Sequence, residues 1–432
     1  MAIKDKAGEA KKASIHLAAV PTNIKNNALK AIARALEEKS DQIISANQMD
    51  LENAAKDDLA EPLLKRLKFQ QDKIKDAIEG INSVIGLEDP VGVTSSALEL
   101  DKGLELFKVS SPIGVIGIVF ESRPDALVQI SSLCLKSGNA VMMKGGSEAA
   151  NTNRILADII SKAGIEAGIP EDWLTLMEAR SDVADMLSMD KFIDLIIPRG
   201  SNEFVKYIMD NTNIPVLGHA DGICHVYIDK LVDIEMAVNI AVDSKCQYVA
   251  VCNAAETLLV HKDIAPKVLP ELKTALEKKG VEIRGCENTL KIIDVKATTE
   301  EDWRTEYLDL IVSVRIVDKL DDAINHINTF GSGHTDVIVT EDKNRGIKFM
   351  DYVDSADVFL NCSSRFADGF RYGLGAEVGI STNKIHARGP VGLEGLMIYK
   401  WRLVGNGHVV SDYSGTNAKT FTHRPLDKKF NK

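Results

Sequence analysis

Gly114-Val-Ile-Gly-Ile-Val-Phe120, the helical stretch Asp125–Lys136, the run Ala140-Val-Met-Met143 and the stretch Glu148–Gly164 follow one another along the chain. Short apolar runs punctuated by glycine alternate here with segments of helical period, the pattern of strand, helix, strand, helix. The alternation continues through Trp173–Met177, Val183–Met189, Phe192–Ile197 and Asn202–Asp210. Residues 110–225 therefore read as a doubly wound parallel sheet with right-handed crossovers. Beyond Val226-Tyr-Ile228 a second α/β unit begins, through helix Ile234–Cys246, strand Thr257–His261, helix Ile264–Lys279 and strands Ile311–Ile316 and Val337–Val339. Upstream, Asp5 to about Ile85 repeats apolar residues at helical spacing, as in Leu29, Ile32, Ala33 and Leu36, with helix starts after Pro21 and at Asp41. Asp50–Asp58 is too polar to read as core. Ala97–Val109 alternates about Asp101-Lys102-Gly103, a β-hairpin in need of a partner. Thr420–Lys432 offers one edge strand and otherwise reads as fraying.

The 432 residues exceed one compact core, so two large domains and a smaller element are expected. An apolar fraction of 45% with only 5% aromatic residues suits layered α/β units better than an all-β sandwich. A net charge of −11 repels nucleic acid and anionic membrane, so anionic substrates need local basic pockets. The six cysteines, at 134, 224, 246, 252, 286 and 362, show neither a Cys-x-x-Cys nor zinc-type Cys/His spacing, so neither a disulfide framework nor a metal is expected. With no apolar leader and no long apolar run, the expected location is a reducing cytoplasm.

Four constellations could carry chemistry. Phe192–Ile197 leads through Pro198-Arg199 to Gly200-Ser201-Asn202, a turn that offers backbone N–H groups to a phosphate; the alternative is ordinary loop chemistry. Lys144, before Gly145-Gly146-Ser147, stands at the carboxyl end of a strand, where it could meet a ribose or its 2′-phosphate or simply be solvated. Cys252, in Val249-Ala-Val-Cys-Asn253-Ala-Ala-Glu256, is either a thiolate nucleophile or one more small buried hydrophobe. Arg365, Arg371 and Arg388 flank a glycine-rich segment and could hold a carboxylate or phosphate, or form surface ion pairs.

Ser111-Pro-Ile-Gly-Val-Ile-Gly-Ile-Val-Phe-Glu-Ser-Arg-Pro124, Val251-Cys-Asn-Ala-Ala-Glu-Thr-Leu-Leu259, Gly333-His-Thr-Asp336 and Gly375–Glu394 together resemble the gamma-glutamyl phosphate reductase family of the aldehyde dehydrogenase superfamily, and the similarity spans essentially the whole chain. That resemblance implies an aldehyde dehydrogenase-like α/β fold of two doubly wound domains plus a β-hairpin oligomerisation element. Residues 1–96 and 112–226 would bind cofactor, 227–388 would carry the catalytic cysteine, and 97–111 with 389–432 would pair subunits as a homodimer or dimer of dimers. It further implies reduction of gamma-glutamyl phosphate by NADPH to glutamate 5-semialdehyde with release of phosphate, the second step from glutamate to proline, which makes the preceding glutamate kinase a candidate partner.

By the same resemblance Cys252 is the nucleophile, Lys144, Ser147, Gly200, Ser201 and Glu306 meet the cofactor, and Arg123 and Asn253 join the three arginines at the substrate. Ordinary aldehyde dehydrogenases carry a water-activating glutamate some thirty residues before the cysteine; here Val216-Leu-Gly-His219-Ala-Asp-Gly222 replaces it. Without that base a thioester would survive to meet hydride or phosphate. Ser122-Arg123-Pro124 replaces the oxyanion asparagine, which leaves that side-chain donor open and makes Arg123 a candidate for phosphate recognition. The competing readings are a hydrolytic, NAD-linked aldehyde dehydrogenase and a catalytically silent nucleotide-binding scaffold.

Overall fold

The computed structural model describes residues 3–430 except 58, 60, 122, 179–181, 219 and 220. The first of two parallel sheets has the order Leu174–Met177, Ala140–Gly145, Val115–Phe120, Leu195–Arg199. Every residue of Val115–Phe120 and Ala140–Gly145 is buried, because helices cover both faces; each fully buried Val, Ile or Met contributes roughly 1.5–3 kcal/mol. The helical leader, including Thr22–Glu38 and Gln71–Gly86, packs with helices Pro124–Ser137 and Ala150–Glu166 in the same core.

The second sheet has seven parallel strands, ordered Lys296–Ala297, Glu282–Gly285, Ile311–Val317, Ala255–His261, Cys224–Ile228, Thr335–Val339, Asp357–Leu360. Three of these, Lys296–Ala297, Glu282–Gly285 and Asp357–Leu360, are short strands absent from the sequence reading. Cys224–Ile228 belongs wholly to this sheet, so the change of sheet falls before Cys224 and not within that strand. The hairpin Thr94–Asp101/Leu104–Pro112 forms the middle of an antiparallel sheet, flanked by Met397–Val404 and Arg424–Pro425. Residues 389–396 do not join it: Gly389–Val391 pairs with Gly379–Ser381, and Val391, Leu393 and Leu396 pack into the core of the first sheet.

Two further expectations do not hold. The carboxyl-terminal segment does not fray over its described part: Arg424-Pro425 pairs with Leu98-Glu99, and Phe430 packs edge-on against Phe107 with ring centroids 5.4 Å apart. Asp50 is not on a solvated face but 2% exposed. Its carboxylate accepts from the backbone N–H of Asn151 and Thr152 and from the Thr152 hydroxyl, at 3.1, 2.8 and 2.6 Å. A negative charge at the start of helix Ala150–Glu166 is where the free N–H groups and the helix dipole favour it. Among the described residues no helix is long and apolar enough to cross a membrane.

Asp50→Ala is expected to lower stability by about 2 kcal/mol, because it leaves those donors buried and unpaired. Denaturant unfolding followed by far-UV circular dichroism measures the loss.

Candidate active site

Helix Ile234–Cys246 starts on the Asp233 side chain, which accepts from Met236 N at 2.7 Å. The chain then turns tightly, with Ala254 N donating to Val251 O, before strand Ala255–His261. Cys252 lies in that turn, half-buried. Its backbone is the floor of the site, and Gly222 packs flat against it. A Cβ at 222 would lie 2.1 Å from the Cys252 carbonyl oxygen and 2.4 Å from its Cα, so no larger residue fits.

His334 approaches the sulfur, with Nε2 3.1 Å from Cys252 Sγ. Gly333, at φ +71°, makes the left-handed turn that delivers His334 to the head of strand Thr335–Val339. The strand is pinned by the buried Asp336, whose Oδ1 meets His225 N and Nδ1, both at 2.8 Å, and whose Oδ2 accepts from Ser355 Oγ. On its other side His334 Nδ1 lies 2.8 Å from Thr335 Oγ1. Donation from Nδ1–H to that hydroxyl leaves Nε2 as the acceptor facing the thiol. Cys224 Sγ lies behind, donating to Cys252 O at 3.1 Å.

Two carboxylates and one guanidinium set the field at the thiol. Burial first, then the negative charges of Glu306 and Glu377, pushes the Cys252 thiol up to about 12, against the opposing pull of Arg199 and of its own backbone N–H. Arg199 ends the first-sheet strand Leu195–Arg199 and donates through Nη1 to Val378 O at 2.8 Å. Glu306 is held by Asn202 Nδ2 at 2.5 Å and by the Gly222 backbone, and burial raises its pKa. Glu377 accepts from Gly369 N at 2.7 Å and is likewise raised by burial. Beneath them lies the fully buried ion pair Lys245–Glu256, 2.5 Å apart, in which burial raises Glu256 to about 7 against the pull of Lys245. Glu256 also accepts from Leu308 N, two residues past Glu306. The site thus lies where the carboxyl edge of the first sheet meets the amino edge of the second.

The residues named from sequence fall into groups. Cys252 and Glu306 face one another across the cleft, and Asn202 ties Glu306 to the helix that begins at Gly200-Ser201. Ser201 caps that helix by accepting from Phe204 N, and its own N–H donates to Glu121, whose carboxylate occupies the anion position at the helix start. Lys144 is buried at the end of its strand, with Nζ 2.6 Å from Gly145 O, and Ser147 is exposed one turn on.

Arg365 is 8% exposed, bonds Gln247 through Nε, and its charge acts together with that of Cys252. Arg123 is exposed, pairs with Asp125 at 3.3 Å, and acts on Arg199. Three sequence-named residues are held elsewhere. Asn253 gives its amide to Ala367 O at 2.7 Å, Arg371 donates to Arg365 O, and Arg388 donates to Asp354. Ser122 and His219 lie outside the described residues. Arg199, Gly222, His334 and Glu377 lie within the sequence motifs, but no local pattern assigns them to the site. Among the described residues no cluster of three His, Cys, Asp or Glu is arranged for a metal.

Residues 1–289 match the aldehyde dehydrogenase family. A gamma-glutamyl phosphate reductase of Acetivibrio thermocellus is 65% identical over 430 residues, covering all of both chains. One from Methanococcoides burtonii is 54% identical over 99% of this chain and 98% of its own. The crystal structure of a gamma-glutamyl phosphate reductase from Thermotoga maritima superimposes with a TM-score of 0.92 at 42% identity, over 94% of this chain and 99% of that one. An acetylating aldehyde dehydrogenase from Geobacillus thermoglucosidasius shares the fold, with a TM-score of 0.65 at 17% identity over 94% of this chain and 97% of that one. The chain belongs to the aldehyde dehydrogenase family and, within it, to the gamma-glutamyl phosphate reductases.

Since the free enzyme holds Cys252 as a thiol, alkylation by iodoacetamide should be slow at pH 7 and rise about tenfold per pH unit toward pH 10 without a plateau. Peptide mass spectrometry at Cys252 gives the rate, and a plateau below pH 9 would contradict the assignment.

Proposed function

We propose that this cleft reduces gamma-glutamyl phosphate to glutamate 5-semialdehyde with NADPH, releasing phosphate, through a thioester on Cys252. The observation that carries the reading is the 3.1 Å approach of His334 Nε2 to Cys252 Sγ in a field containing Arg199 and Arg365. His334 takes the thiol proton, and the thiolate attacks the acyl carbon. The Cys252 backbone N–H, already directed at the sulfur, is placed to meet the oxyanion that forms on the attached carbon. The C–O bond to phosphate then breaks. Arg199 and Arg123 offset the charge of the departing phosphate, to which His334 returns its proton. NADPH, when bound, would supply the hydride that turns the thioester into a thiohemiacetal alkoxide. Collapse of that alkoxide frees the aldehyde and the Cys252 thiolate, which takes a proton from water; the cycle therefore consumes one proton.

The residues suited to the cofactor are of the right chemistry. The Gly200-Ser201 helix start draws the Glu121 carboxylate, so its free N–H groups suit an anion, and a pyrophosphate there would displace Glu121. Lys144 and Ser147 are suited to a ribose 2′-phosphate, which favours NADPH over NADH, and Glu306 to the nicotinamide ribose. Hydrolysis of the thioester is disfavoured because Val216–Gly222 offers no glutamate to activate water. For assembly, the edge strand Met397–Val404 exposes Tyr399, Trp401 and Leu403 by more than half each, which supports pairing with a second copy.

Purified protein with NADP, phosphate and glutamate 5-semialdehyde should form NADPH only when phosphate is present. Cys252→Ser should lose activity by about 10³-fold or more, and His334→Gln by about 10²- to 10⁴-fold in kcat. Phosphate-independent turnover, or full activity in Cys252→Ser, would overturn the reading.

A further inference from the structure

Lys245 and Glu256 are fully buried, pair at 2.5 Å, and bracket the nucleophile. Lys245 is the next-to-last residue of helix Ile234–Cys246, Glu256 is the second residue of strand Ala255–His261, and the turn with Cys252 lies between them. Taking two charges out of water is costly, and well-packed apolar side chains of similar size join a helix to a strand as firmly. What an apolar pair lacks is an acceptor. While Glu256 Oε2 meets Lys245, its Oε1 accepts from Leu308 N at 3.3 Å, a bond that crosses to the segment carrying Glu306. Residues 305–309 form neither helix nor strand, so no backbone ladder holds them. Leu308 stands at φ +52°, in the left-handed region that a branched residue rarely adopts, and its side chain is 43% exposed, so apolar burial does not hold it there. Polar contacts do. Tyr307 OH lies 2.6 Å from Asp302 Oδ1 and 2.7 Å from Ser313 Oγ, its ring lies 5.9 Å from Lys245 Nζ, and Leu308 N meets Glu256. From this pinned backbone the Glu306 carboxylate reaches Asn202 Nδ2 at 2.5 Å.

We infer that Lys245 and Glu256 are positioning residues for the cofactor: Glu256 fixes, through Leu308 N, the backbone that presents Glu306, and Lys245 holds the Glu256 carboxylate in place for that bond. The inference rests on the function proposed above, in which Glu306 meets the nicotinamide ribose. Both residues act through others, Glu256 through Leu308 and Lys245 through Glu256. The buried charge is then explained by the acceptor it supplies to a loop in an unfavourable backbone conformation, and not by the joining of helix to strand.

The test compares two double variants that remove the ion pair without leaving one charge buried alone. Lys245→Met with Glu256→Leu has no acceptor for Leu308 N, whereas Lys245→Met with Glu256→Gln keeps one. Both should unfold thermally at or above the wild-type midpoint, followed by circular dichroism. The dissociation constant for NADPH, read from the fluorescence of the bound dinucleotide, should rise about tenfold with leucine at 256 and stay near the wild-type value with glutamine there. Alkylation of Cys252 by iodoacetamide, which needs no cofactor, should match the wild type in both. If the leucine variant binds NADPH as the wild type does, or the glutamine variant loses as much, this inference is wrong and the proposed function stands. A leucine variant that fails to fold, or whose Cys252 alkylation changes in step with its NADPH affinity, marks the pair as a structural support and equally overturns the inference. If the wild type does not bind NADPH at all, the inference and the proposed function fall together.

Discussion

A thiol enclosed beside two carboxylates does not ionise unaided, and this sets the terms for everything else in the cleft. Burial, Glu306 and Glu377 hold Cys252 in its protonated form, and Arg199 only partly offsets them. In the reaction proposed above, the 3.1 Å contact with His334 resolves the conflict, because a neutral imidazole there takes the proton as the acyl carbon is presented. Such an arrangement keeps a reactive sulfur quiet between turnovers, since the thiolate and not the thiol is the nucleophile and the target of oxidation.

The contact in turn depends on how the two sheets meet. His334 is fixed by a second-sheet strand and by the buried Asp336, Cys252 by a turn whose backbone lies flat on Gly222, and Arg199 by the end of a first-sheet strand. Asn202 to Glu306 ties the two edges together, and Arg199 to Val378 fixes the segment carrying Glu377 to the end of the first sheet. A shift of either edge by one ångström would alter the sulfur, the imidazole and the guanidinium together, so the reaction geometry depends on the architecture rather than on any single loop.

Much of this was legible in the chain. Strands such as Val115–Phe120 stood out because both faces are buried, so their apolar runs are unbroken, and the glycine-rich turns marked where ligands approach. Asp50 misled because its polarity suggests solvent, whereas its carboxylate caps a helix a hundred residues on. Strands of two to four residues, such as Lys296–Ala297, carry too few side chains to show alternation. The site was half visible: Cys252 and Glu306 came from resemblance, but the Cys252–His334 pair spans 82 positions of sequence and exists only once the strands have aligned. Arg371 and Arg388 looked like anion ligands by composition, yet Arg371 is tied to the Arg365 carbonyl and Arg388 to Asp354, contacts that no local pattern encodes.

The central claim is that Cys252 carries the acyl group between substrate and product. It is tested most directly by generating gamma-glutamyl phosphate in place, withholding NADPH, quenching in acid and mapping the protein by peptide mass spectrometry. The account predicts a glutamyl increment on the peptide containing Cys252 that disappears when NADPH is added and never forms in Cys252→Ser. A wild-type enzyme that turns over with no adduct at Cys252, or with the adduct on another residue, would contradict it.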